Sequence, residues 1–187
     1  MVTPFDGPEV ERRLQAFFAR CERRHGYRAA VTTTTPDPRD DRDAVAALKY
    51  RYLRTLDTKQ WEEFEDCFVP GATGDYNGLL FESRAALVEY MRTNIAEGMI
   101  TLHQAHHPEI TVEGDTARAR WYLQDKVIVE AFRFMLEGAA IYDDRYVRTP
   151  DGWRISHTGY RRTYEATMSL DDMPSFKVSA PGSHTHV

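Results

Sequence analysis

Residues 102–125 read LHQAHHPEITVEGDTARARWYLQD. A histidine cluster leads into a strand, Glu113-Gly114-Asp115 supplies a turn, and the chain returns as a second, alternating strand. Side chains alternate across a strand, so Trp121, Leu123, Asp125, Val127 and Val129 share one face. All but Asp125 are apolar. A carboxylate on such a face is costly unless it is paired or hydrogen-bonded. Asp125 therefore needs a partner, and the strand before the turn offers His103. An acid that orients a histidine is a common way to build a general acid/base. The plainer reading is a core aspartate that holds backbone, with His103 in solvent. From this stretch alone both readings stay open.

Downstream, Glu137–Arg148 and Trp153–Tyr164 read as two more strands around the turn Pro150-Asp151-Gly152. Upstream of Ile100 the period changes to that of helices. Asp41 or Asp43 can cap a helix whose apolar face is Val45, Leu48, Tyr52, Leu53 and Leu56. Asp57 ends it and can cap the next helix, where Trp61, Phe64 and Phe68 form a stripe that Pro70-Gly71 stops. Thr73–Tyr76 and Leu79–Phe81 flank Asn77-Gly78, a strong hairpin signal. Ser83 caps a third helix that buries Leu87, Val88 and Met91, and Gly98 closes it. Helices first and strands afterwards predict an α+β domain, with helices on one face of a curved antiparallel sheet. Such a sheet encloses a cone-shaped cavity. This domain spans residues 39–167. Residues 1–38 read as an appended helix and a Thr/Pro-rich tether, and residues 168–187 as a tail without its own core.

The 187 residues suit one domain with a full core. Hydrophobic content is 42%, an ordinary globular value. Net charge is -5 with Lys and Arg scattered, so no basic stripe points to nucleic acid. Cys21 and Cys67 follow no metal or redox spacing. The N-terminus shows no signal peptide, and no apolar run reaches membrane-spanning length. These features predict a cytoplasmic protein with no membrane association. His103, His106 and His107 lack a further ligand at a familiar metal spacing, so no metal is expected.

The pieces KYRYLRTLDTKQW (49–61), 102–125, IYDDRY (141–146) and DGWRISHTGYRRTYE (151–165) together resemble the SnoaL-like branch of the nuclear transport factor 2-like (NTF2-like) superfamily. Within it they look most like the bile acid 7α-dehydratases and, more distantly, the scytalone dehydratases. The resemblance implies roles. Tyr52 matches an active-site tyrosine, Asp57 a helix-end acid, His103 the catalytic histidine, Asp125 the acid that orients it, and Arg162 an active-site arginine. It implies a cofactor-independent dehydratase acting on a hydroxylated carbonyl compound with fused rings, steroid-like or polyketide-like. An isomerase, a polyketide cyclase, a ligand-binding module and the small subunit of a ring-hydroxylating dioxygenase are the alternatives on the same fold. The expected partners are a hydrophobic small molecule, with a CoA thioester as one form, and further copies of the chain in a trimer or dimer.

Two geometric conditions attach to these roles. Tyr52 and Asp57 are five residues apart, so both face a cavity only if Asp57 lies at or past the helix end. Arg162 falls on the strand face opposite Trp153 and Ile155 unless a bulge, expected at Gly159, shifts Tyr160 and Arg162 across. Arg161 is the alternative without a bulge. Trp121, Tyr142, Tyr160 and His106 complete the expected substrate-binding set, and Tyr146 shares the face of Tyr142.

Overall fold

The computed structural model describes residues 38–179. The helix and tether expected over residues 1–38 lie outside them, apart from Pro38, as does the tail from residue 180. Helix α1 spans Pro38–Asp57, with Asp40 and Asp41 in its first turn, where carboxylates suit the helix dipole. Its predicted apolar face is buried throughout. Asp41 lies inside the helix and ties it to the far end of the sheet. Its carboxylate accepts from Arg148 Nη2 at 2.7 Å and from Trp153 Nε1 at 3.2 Å.

Helix α2 is one turn, Trp61–Glu65, and strand β1 begins at once, Phe68–Tyr76. The expected stripe therefore ends early, and Pro70-Gly71 sits inside a strand rather than stopping a helix. Pairing to the neighbouring strand skips between Phe68 and Thr73, which accommodates a residue without an N–H. Asn77 and Gly78 take positive φ, 54° and 100°, in the predicted turn to β2, Leu79–Phe81. Ser83 Oγ accepts from the Ala86 N–H at 3.2 Å and starts α3, Arg84–Asn94, which ends ahead of Gly98.

The long strands are β3 (Ile100–Glu113), β4 (Thr116–Val129), β5 (Phe134–Thr149) and β6 (Gly152–Ser169). The six strands form one curved, unclosed sheet in the order β2-β1-β6-β5-β4-β3. All neighbours are antiparallel except β1 and β6. β3 carries a bulge between His106 and Glu109, where His107 takes φ 48° ahead of Pro108. Helix α1 lies against β3 and β6, and α3 against β1 and β2. The main apolar core lies between these helices and the concave face. The start of the expected tail continues β6 and then buries Leu170 with Ile128 and Met135 in a second apolar cluster. No helix among the described residues is long and apolar enough to cross a membrane.

Candidate active site

A cavity of about 260 Å³ opens between α1, α3 and the concave face of the sheet. Tyr52, Tyr76, His103, Asp125, Tyr142, Tyr160 and Arg162 line it, with Leu56, Met91, Leu123 and Val127 as apolar wall. His103, Leu123, Asp125 and Val127 face it for the reason the sequence suggests: the alternation of β3 and β4 holds through this part of the sheet.

Asp57 is the last residue of α1, so the turn releases its side chain toward β3. Its Oδ1 accepts from His103 Nδ1 at 2.6 Å and from Thr101 Oγ1 at 2.8 Å. Its Oδ2 accepts from the His103 backbone N–H at 2.9 Å. These bonds fix the ring and its tautomer, with the proton on Nδ1 and Nε2 as the basic atom. The expected cap on α2 is absent: Gln60 stands at that position and makes no side-chain cap.

The expected hydrogen bond between Asp125 and His103 is therefore corrected. The two are cross-strand neighbours and line the same cavity. Asp125, only 3% exposed, instead takes a bidentate pair from Arg162, Nη1 to Oδ1 at 2.5 Å and Nη2 to Oδ2 at 2.8 Å. A planar guanidinium fork fits both oxygens of a carboxylate, which one histidine cannot do. Gly138 makes room for the pair. A Cβ there would lie 2.7 Å from Arg162 Nη1, 3.0 Å from the Tyr164 carbonyl and 3.2 Å from Asp125 Oδ1.

Arg162 does reach the cavity through a bulge, but the bulge is at Ser156. Arg145 pairs with His157 and Tyr146 with Ile155, leaving Ser156 as the extra residue. That shift puts Thr158, Tyr160 and Arg162 on the face of Trp153 and Ile155. Arg161 points outward to Asp75.

Behind the cavity lies a wall of phenols. The Tyr52 and Tyr76 hydroxyls are 2.8 Å apart, and the Tyr142 ring meets Tyr52 and Tyr160 edge-on. Burial pushes the Tyr52 and Tyr142 hydroxyls well above the ordinary tyrosine range, so both stay neutral donors. Two expected binding residues fall elsewhere. Trp121 is fully buried in the core and donates to the Tyr146 hydroxyl at 3.1 Å. His106 is exposed on the opposite side of β3 from His103, two strand steps beyond Gln104 and ahead of the bulge.

Three residues were missed as cavity determinants. Tyr76 lines the cavity beside Tyr52. Lys49 and Asp144 form an ion pair behind the phenols, 2.8 Å apart and both fully buried. Lys49 and Asp144 each carry a signal in the sequence. Lys49 falls on the helical stripe of Val45 and Tyr52, and Asp144 alternates with Tyr142 and Tyr146. Among the described residues no three His, Cys, Asp or Glu side chains come together to hold a metal ion.

Comparison with known proteins bears on this arrangement. An uncharacterized protein of Mycobacterium tuberculosis (strain ATCC 25618 / H37Rv), Rv2910c, is 26% identical over 118 residues, covering 62% of this chain and 80% of its own length. A proposed scytalone dehydratase from Novosphingobium aromaticivorans shares the fold at TM-score 0.64 and 17% identity, over 79% of this chain and 95% of that one. The hexachlorocyclohexane dehydrochlorinase LinA-type3 from Novosphingobium barchaimii LL02 does so at TM-score 0.64 and 14% identity, over 76% and 96%. The SnoaL-like domain family matches residues 37–159, and the chain belongs to that family.

Proposed function

We propose that the protein is a cofactor-independent lyase that eliminates water from a hydroxylated, ring-containing carbonyl compound. The observation that carries this reading is His103, locked by Asp57 through Nδ1 with its ring on an aromatic-lined cavity. His103 Nε2 takes the proton from the carbon beside the substrate carbonyl. The C–H electron pair moves into that carbonyl, and Tyr52 donates a hydrogen bond to the oxyanion. When the oxyanion collapses, a C=C bond forms and the C–O bond to the hydroxyl breaks. The imidazolium returns its proton to the departing oxygen, so water leaves and His103 is regenerated. Asp57 stabilises the imidazolium between these steps. Arg162, balanced by Asp125, shapes the end of the cavity. Two structural neighbours bear the names of eliminations, one of water and one of hydrogen chloride, which supports the class. A double-bond isomerase uses the same first step and differs only in where the proton returns.

The test is an absorbance screen of the purified protein against hydroxylated ketones with two to four fused rings. Elimination next to a carbonyl lengthens conjugation, so a new band should grow with wild type and stall with His103→Ala. Ligands that bind without any chemical change would make the protein a binding module instead.

A further inference from the structure

Lys49 is fully buried, and the chemistry above leaves it unused. Its Nζ sits 3.3 Å from the centroid of the Tyr142 ring and 4.4 Å from that of Tyr52. Asp144 Oδ2, 2.8 Å away, is its ion-pair partner, and the two ring faces are the ammonium's other neighbours. The Asp144 carboxylate has further partners. It accepts from Thr158 Oγ1 at 2.8 Å and from the Tyr146 hydroxyl at 2.9 Å. The pair is thus an oriented dipole with its positive end on the phenol wall. Burial pulls the Lys49 ammonium below the ordinary lysine range, and the Asp144 carboxylate beside it opposes that pull.

A cation over a ring face draws electron density from the ring and strengthens the O–H as a donor. In a dry core this acts with little screening. We propose that Lys49, held by Asp144, is a positioning residue that makes the Tyr52 and Tyr142 phenols selective for an anionic oxygen over a neutral one. The ligand class is an enolate or phenolate inside the cavity. This rests on the reading of the cavity as the reaction site, and the experiment separates the two.

The probe is 4-nitrophenol, whose phenolate absorbs visibly and whose phenol does not. Titrating the bound probe with wild type, Lys49→Met, Tyr52→Phe and Tyr142→Phe reads the affinity ratio of phenolate to phenol. Lys49→Met should lower that ratio about tenfold while its cooperative melt and its affinity for naphthalene persist. The Phe variants keep a ring face for the ammonium but lose a donor, and at least one should lower the ratio similarly. They keep the idea testable if Lys49→Met does not fold. An unchanged ratio in Lys49→Met, or in both Phe variants, overturns the proposal. Wild type that binds neither probe overturns the cavity reading beneath it.

Discussion

Two carboxylates, Asp125 in the cavity wall and Asp57 behind His103, are each paired with a basic side chain, yet they do different work. Asp57 holds a histidine, a side chain able to pass a proton on. Asp125 holds an arginine, which keeps its charge under all working conditions. The first pair sits at a helix end and offers a mobile proton. The second reaches across β5 from β4 to β6, clamped over Gly138, and offers fixed charge and shape. The partner rather than the acid decides which pair can be chemical.

The sharpest way to break this contrast is at the first pair. His103→Ala should lower turnover by about 10²–10⁴, measured at saturating substrate, with an unchanged melting curve. Asp57→Asn should lose on the order of 10², and the double variant should be scarcely worse than His103→Ala, because the two act as a unit. His106→Ala is the matched control on the outer face and should stay within about twofold.

At the second pair the larger effect should fall on folding. Asp125→Asn leaves the Arg162 charge against a partner that cannot neutralise it, and denaturant melts should show a loss of about 3 kcal/mol. If Asp125→Asn matched His103→Ala in turnover while keeping wild-type stability, the division of labour drawn here would be wrong.

At the second pair, the smaller effect should come from Gly138→Ala. The new methyl meets Arg162 Nη1 at 2.7 Å, and a flexible side chain can retreat, but the Tyr164 carbonyl at 3.0 Å cannot. A loss of about 1–2 kcal/mol is expected, with the Arg162 fork displaced. A crystal structure of the variant with the fork intact would show that the close approach is slack.

What the sequence disclosed follows the same division. β4 alternates without interruption from Ala117 to Asp125, so its inward residues could be read off directly. β6 could not be phased as far, because Ser156 inserts one residue and nothing in its own chemistry marks it as a bulge. The resemblance points to Arg162 on condition of a bulge at Gly159, and the bulge that brings its side chain to the cavity lies at Ser156 instead. The partner of His103 was misread for a related reason. A strand pattern shows which residues share a face, whereas Asp57 arrives from another element along a direction set by where α1 ends. Lys49 stood on an apolar helical stripe, but a lysine there is ordinarily expected to extend its charge to water.

Asp57 also has a duty unrelated to proton transfer. β3 is the last strand of an unclosed sheet, and its free side would expose a row of backbone donors and acceptors to any passing strand. The His103 N–H belongs to that row, and the Asp57 carboxylate covers it. Farther along, Pro108 removes a donor and the bulge bends the strand. The same carboxylate that steadies a histidine thus helps to blunt the margin where fibril-like association would start, and its removal would expose that margin as well as slow the proposed reaction.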